Sequence, residues 1–438
     1  MTWLIFRRTL ISLFCIIGTL NIGILPTVLP RQACAQTSPT DSLLRSSLLR
    51  SGVSAHPEGR VEVFAQGTTK FDDLLHVIDR AQHHIHIEYF IFADDSIAHT
   101  VLAHLRQKAA QGVEVRLVID DYKAVCRHYG YDKTRVQQLR AEGIDVRMFA
   151  PFRFPYVHRL SRDHRKIVVV DGRVGYIGGL NVSDYYLTGD PDTYGEWRDT
   201  HVRITGEAVE VLQRYFAESF TKSGGAPFDG ADYYPYTAQQ GVADISYFDL
   251  PEGDLPASGI TFVERSKQHK AQMRRAFESA FNSAQRKLLI VSPYFLPTAG
   301  VRRALIRAID RGVDVHILLS HDSDEPLLLA GNLNFARRLI RHGAHVYLYR
   351  GGFHHSKILM VDDSYSMVGS ANLNSRSLRW DYEASCFIYS PEVTARLTEI
   401  FNNDLSHSDI FTDSLYHTLS RATRLKGSVV NHVLTPFL

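Results

Sequence analysis

His164, Lys166 and Asp171 are spaced as His-x-Lys-x-x-x-x-Asp, and the same spacing returns at His355, Lys357 and Asp362. Each copy is followed by a glycine-asparagine segment, GGLN at 178–181 and GSAN at 369–372. Displacing an alcohol from a phosphodiester takes a nucleophile on one side of phosphorus and a proton donor for the leaving oxygen on the other. Two imidazoles supply both. Charge gathering on the equatorial oxygens is met by preorganised donors, here Lys166, Lys357 and the amides of Asn181 and Asn372, without recourse to a metal or other cofactor. One such motif is unremarkable as a solvated strand end followed by a turn; a matched pair reads as one active site built twice.

The elements that must position these groups are legible around them. IVVV at 167–170 and ILMV at 358–361 read as buried strands ended by Asp-Gly and Asp-Asp turns. If each strand extends back through its motif, His and Lys project from one face. Gly112-Val113-Glu114-Val115 and Gly312-Val313-Asp314-Val315 lie 200 positions apart, each after a helix-period segment, and Gly143 and Gly343 share that offset. The two histidines are 191 apart, so the second half is nine residues shorter between these landmarks. Helix, glycine, strand, twice in order, predicts two α/β halves on one plan.

Length and composition agree, with 438 residues and 45% apolar content suiting a globular chain of more than one ordinary domain. The expected organisation is a leader at 1–35, a flexible Ser/Thr-rich segment at 36–59, a first half at 60–220, a loop or linker at 221–257, a second half at 258–405 and a tail at 406–438. The leader has Arg7 and Arg8, 22 uncharged residues, Arg31 and then Ala33-Cys34-Ala35. That order fits a cleaved secretory signal, interrupted as a helix by Asn21, Pro26 and Pro30, and an uncleaved membrane anchor is the alternative. Either way the catalytic part is expected outside the cytoplasm. Removing residues 1–35 takes away Arg7, Arg8 and Arg31 and no acid, so the formal charge goes from +2 to −1. Such a chain lacks the basic excess of a nucleic-acid binder.

Cys126 and Cys386 remain after the leader, one per half, and are read as two free thiols, with a bridge left open. Histidines such as His83, His84 and His86 are expected to be structural, with no zinc spacing among them. In the tail, Arg421, Arg424 and Lys426 are mixed with Leu425, Val429, Val430, Val433 and Leu434. An interfacial helix and ordinary packing are both open for it.

From about Val61 to Asp404 the chain resembles the phospholipase D superfamily, and within it the bacterial cardiolipin synthases. The paired motifs carry this, together with IEYFIFADD (87–95), QGVEVRLVIDD (111–121), GEWRD (195–199), SPYFLP (292–297), RGVDVHILLS (311–320) and NLNSRSLRWDYE (372–383). The typical member begins with two membrane helices, and this chain departs from that pattern. The resemblance implies two α/β/α sandwich halves in a pseudo-twofold pair with the active site between them. It also implies that one acid from each half orients the histidine of the other, Glu383 serving His164 and Asp199 serving His355. Asp171 and Asp362 are family motif residues, expected to fix the loop after the catalytic strand. Ser183, Ser370, Ser375 and Arg376 are candidates for lining the phosphate pocket. The expected partners are phospholipids such as phosphatidylglycerol, presented at a membrane surface. The implied reaction is transphosphatidylation through a phosphatidyl-histidine on His164, with His355 as acid and then base. Hydrolysis by a secreted phospholipase D, or less closely a phosphodiesterase or nuclease of the superfamily, is the alternative.

Overall fold

The computed structural model describes residues 39–435 apart from 51–52, 54–57, 123–130, 151–160, 190–194 and 240–242. The expected leader and Cys126 lie outside the described residues. In chain order the strands are β1 (Gly59–Phe64), β2 (His84–Tyr89), β3 (Glu114–Asp120), β4 (Ile144–Phe149), β5 (Lys166–Val170), β6 (Val174–Gly178), β7 (Trp197–Arg198), β8 (His201–Thr205) and β9 (Leu255–Ala257). The second series is β10 (Ile260–Arg265), β11 (Lys287–Val291), β12 (Phe295–Leu296), β13 (Asp314–Ser320), β14 (His345–Tyr349), β15 (Phe353–His354), β16 (Ile358–Val361), β17 (Tyr365–Gly369), β18 (Leu373–Asn374), β19 (Glu383–Ile388) and β20 (Ser408–Phe411).

Two sheets result, ordered β4-β3-β2-β5-β6-β8-β1-β9 and β10-β19-β17-β16-β11-β13-β14-β20. Read from opposite ends, seven strands of one correspond to seven of the other, and each sheet adds one edge strand of its own. The repeat glycines sit where the plan requires them. Gly112 and Gly312 have φ of 90° and 88°, and Gly143 and Gly343 have 89° and 108°, left-handed turns that deliver a helix into a strand.

Strand alternation divides each catalytic strand between two cores. Val168 and Val170 face an outer core under the helices Gly67–Arg80 and Ser96–Ala110, whereas Ile167 and Val169 face a central core. Leu359 and Val361 likewise point outward while Ile358 and Met360 point to the centre. The central core draws on both sheets and on the helices Val209–Lys222 and Pro391–Leu405. The halves therefore share one apolar layer, and burial of the catalytic strands depends on both.

Three expectations are corrected. Residues 39–50, expected to be flexible, form a helix whose Leu44 and Leu48 are buried against Met273 and Phe277 of the second half. Its Arg45 guanidinium lies 3.8 Å from the centre of the Tyr389 ring, so apolar spacing within a Ser-rich stretch outweighs its composition. The segment 221–257 is not all linker, because β9 pairs with β1 and completes the first sheet. The catalytic strands do not run back through the motifs. β5 begins at Lys166 and β16 at Ile358, and the histidines before them pair with the opposite half.

The tail folds as a helix, Arg421–Val429 continuing as a wider turn over Val430–Leu434. It packs on the helix Pro326–Ile340, with Val430 buried and Asn431 Nδ2 donating to the Gly331 carbonyl at 2.7 Å. A Cβ at Gly427 would stand 2.3 Å from the Ala330 carbonyl oxygen, so only glycine permits this approach. No helix among the described residues is long and apolar enough to cross a membrane.

Candidate active site

The two halves exchange short backbone segments where the site forms. β7 pairs in parallel with β15, and His355 N donates to the Arg198 carbonyl at 2.7 Å. On the other side Asp163 bridges Tyr382, and His164 N donates to the Tyr382 carbonyl at 2.9 Å. Each histidine is thereby clamped beside the acid-bearing segment of the opposite half.

The side chains complete the exchange. His164 Nδ1 lies 3.1 Å from Glu383 Oε2, and His355 Nδ1 lies 2.7 Å from Asp199 Oδ2. With Nδ1–H donated to a carboxylate, Nε2 of each ring is left for substrate. Lys166 Nζ donates to the His164 carbonyl at 2.6 Å, Lys357 Nζ makes the matching bond to His355, and Lys357 also lies 3.8 Å from Asp199. The two acids are seated differently. A Cβ at Gly179 would stand 2.1 Å from Asp199 Oδ1, so the first half leaves that position bare, whereas Ser370 in the second half donates its hydroxyl to Glu383 at 2.5 Å.

Both histidines open into one cavity of about 330 Å³, together with Asn181, Asn372, Phe90, Trp197 and Tyr294. Phe90 stands edge-on to His164 at 5.0 Å between centroids, and Trp197 lies 5.4 Å from His355. Asn181 Nδ2 donates to Tyr186 at 2.9 Å, while the Asn372 side-chain oxygen is buried without a partner. Arg376 lines the cavity as expected. The three serines do not line it. Ser183 bonds Asp95 at 2.8 Å, Ser370 holds Glu383, and Ser375 is buried at the start of the helix Ser375–Arg379.

Asp171 and Asp362 lie at the far ends of their strands, about 16 Å from the lysine end of β5 at ~3.3 Å per residue. Asp171 accepts from the backbone N–H groups of Gln82, His83 and His84 at 2.8 Å, and Asp362 from those of Gln285, Arg286 and Lys287 at 2.8 Å. Both adopt positive φ, 52° and 51°. Neither aspartate lines the cavity, and both fasten the ends of their strands. Asp171→Ala should cost about 2–3 kcal/mol in unfolding, from buried donors left unpaired, while turnover per folded molecule stays near wild type. Loss of turnover without loss of stability would restore a catalytic role.

Burial is the largest influence on every charge at the site. It pushes the His355 imidazole down to about 3, with Lys357 adding to the effect against the pull of Asp199. It lowers His164 too, opposed by Glu383. Burial brings Lys166 down to about 7 and Lys357 to about 8, each opposed by the nearby acids. Glu383 and Asp199 resist burial because the facing histidines and lysines hold both below the ordinary carboxylate range. The site thus offers two imidazoles held toward the neutral form and two lysines that lose their charge as pH rises through 7 to 8. Since kcat/KM reports the free enzyme, it should fall as pH rises through 7 to 8 and the lysines discharge. A profile on soluble short-chain phosphatidylglycerol that stays flat to pH 9 would show that they remain charged.

A phospholipase D-like domain family described as cardiolipin synthase matches residues 74–219 and 277–405. The chain belongs to that family. It is 33% identical to a cardiolipin synthase of Oceanobacillus iheyensis over 86% of this chain and 75% of that protein, and 33% identical to one of Staphylococcus aureus strain Mu50 over 86% and 73%. Its fold is similar to that of a phosphatidylserine synthase from Haemophilus influenzae Rd KW20, with a TM-score of 0.67 at 16% identity over 92% of this chain and all of that one. The chain is a phosphatidyltransferase of the phospholipase D superfamily.

Nothing in the sequence pattern marks Phe90, Trp197 and Tyr294 as cavity walls, although all three stand inside the family-like motifs. Asp324, bonded by the Tyr294 hydroxyl at 2.6 Å, carried no signal at all. Its place depends on a loop beyond β13 that only the fold brings to the cavity.

Proposed function

We propose that the protein condenses phosphatidylglycerol with a second phospholipid bearing a free hydroxyl, and that with a second phosphatidylglycerol the product is cardiolipin. The observation that carries this reading is the crosswise pairing of each histidine with the other half's acid around one aromatic-walled cavity. His164 Nε2 attacks phosphorus, the P–O bond to the head-group glycerol breaks, and His355 gives its proton to the departing oxygen. An incoming anionic phosphodiester raises the His355 imidazole toward the protonated form this requires. His355 then takes the proton of the acceptor hydroxyl, whose oxygen displaces His164 from phosphorus. The order of the histidines follows the family resemblance.

Transfer over hydrolysis is supported by the walls of Phe90, Trp197 and Tyr294, which limit water beside the phosphatidyl-histidine. Leu327 and Leu328 add an apolar margin, and they belong to the helix on which the tail packs. The outer face of that tail exposes Leu425, Val429 and Val433, spaced four apart, among Arg421, Arg424 and Lys426. This pattern suits an anionic lipid surface, so we read the enzyme as membrane-associated and, from its leader, as extracytoplasmic. Purified protein on detergent-free phosphatidylglycerol vesicles should give cardiolipin and free glycerol as the main early products, read by mass spectrometry. Phosphatidic acid dominating at all times would reassign the chemistry to phospholipase D.

A further inference from the structure

We propose a divalent transition-metal site, suited to Zn²⁺, on the second sheet at the end away from the catalytic cavity, formed by Asp314, His316 and His345. Asp314 and His316 stand two apart on β13, and His345 pairs directly with His316 across to β14, so all three side chains share one face. His316 Nε2 lies 3.0 Å and His345 Nε2 3.6 Å from the two oxygens of Asp314, and the imidazoles stack at 23° with centroids 4.8 Å apart. One ligand atom from each lies within 4.8 Å of the others. Ligand atoms about 2.0–2.2 Å from a tetrahedral zinc stand roughly 3.3 Å apart, so small rotations of exposed side chains close the set.

Two further observations point to a ligand rather than a chance cluster. The Tyr347 hydroxyl lies 3.1 Å from His316 Nδ1, which turns Nε2 toward Asp314 in the manner of an outer-shell partner of a metal-binding histidine. The repeat supplies an internal comparison at an offset of 200. The corresponding positions of the first half are Glu114, Arg116, Asp145 and Arg147, which neutralise themselves as Arg116–Glu114 and Arg147–Asp145 ion pairs at 2.7 Å. The second half replaces both arginines, by His316 and Tyr347, and places His345 where the first has an aspartate. The adjacent cation, Lys287, is engaged by Asp363 at 2.8 Å. Two imidazoles and one carboxylate favour zinc and its neighbours over calcium or magnesium. The side chains of Asp314 and His345 are 54% and 58% exposed, open to an ion and to a water as fourth ligand.

The far end of β13 reaches the catalytic motif, where Ser320 accepts from His354 N. Six steps of ~3.3 Å from Asp314 to Ser320 separate the sites by about 20 Å, so this metal takes no part in phosphoryl chemistry. The full chain, stripped with chelator, should bind one equivalent of Zn²⁺ by calorimetry, and Co²⁺ in its place should give visible absorption bands of low-coordinate cobalt. In the His316→Gln/His345→Gln variant the equivalent and the bands should vanish with far-ultraviolet dichroism and lipid turnover unchanged. Tyr347→Phe, which keeps all three ligands, should weaken binding about 10- to 100-fold. Failure of the wild type to bind, or equal binding by the double variant, would overturn the site. Turnover of the chelated protein is measured separately and bears only on the active site.

Discussion

His164→Ala and His355→Ala are each expected to lower turnover of a natural phospholipid by roughly 10⁴-fold or more, because each removes a group that acts on a bond to phosphorus. Neither half holds both the nucleophile and the proton donor, so an intact second motif offers no relief. The fold should survive. Both rings line the cavity, and the carboxylate each leaves behind keeps a neighbour, Ser370 for Glu383 and Lys357 for Asp199. Thermal unfolding close to wild type together with lost turnover is the expected pair of results. Either variant retaining more than about a tenth of wild-type activity would defeat the two-histidine mechanism. The carboxylates orient and do not bond to phosphorus, so Glu383→Gln and Asp199→Asn should cost less than the histidines.

Arg165→Met is expected to produce the largest loss of stability of any single change near the site, about 3–5 kcal/mol. Arg165 lies between the motif's histidine and lysine and is buried. Its guanidinium bonds Asp163 at 2.9 and 3.1 Å, stands 3.0 Å from Glu88, donates to Ser219 and comes within 3.9 Å of Glu264 from the second half. Burial pushes Glu88 well up, and Arg165 opposes it. Removing the arginine leaves buried acids without their counter-charge and unlatches Asp163, whose neighbour His164 would then lose its position. Chemical unfolding followed by dichroism measures the effect. A shift within about 1 kcal/mol of wild type would mean that the network contributes little. The second motif has Ser356 at this place, bonded to Thr200 at 3.0 Å, so the equivalent substitution there should be far milder.

The two-half plan and the residues for the proposed chemistry were legible in the chain alone. Paired His-x-Lys motifs, an asparagine after each, and helix-glycine-strand landmarks at a common offset are local patterns, and local patterns survive without coordinates. Asp171 and Asp362 were legible as turn residues because an Asp at the end of a buried apolar run has few other uses. Residues 39–50 conceal their helix for the complementary reason. Their order comes from Leu44 and Leu48 meeting a helix more than 200 residues later, and composition carries no record of such a partner.

How the pieces meet is set by packing between the halves. That Glu383 faces His164 and Asp199 faces His355 was expected from the family resemblance alone, since no spacing within either half encodes a contact across the pair. The backbone bridges at Tyr382 and Arg198 make that contact, and they exist because the two sheets bury one shared apolar layer. The same distinction holds for Phe90, Trp197 and Tyr294, visible as aromatic residues in motifs but walls of a cavity only once both halves close around it. It holds again for Asp314, His316 and His345, which become neighbours through parallel pairing of β13 with β14. Pattern reports what a residue can do; pairing and shared burial, which act over long separations in the chain, set what it does it to.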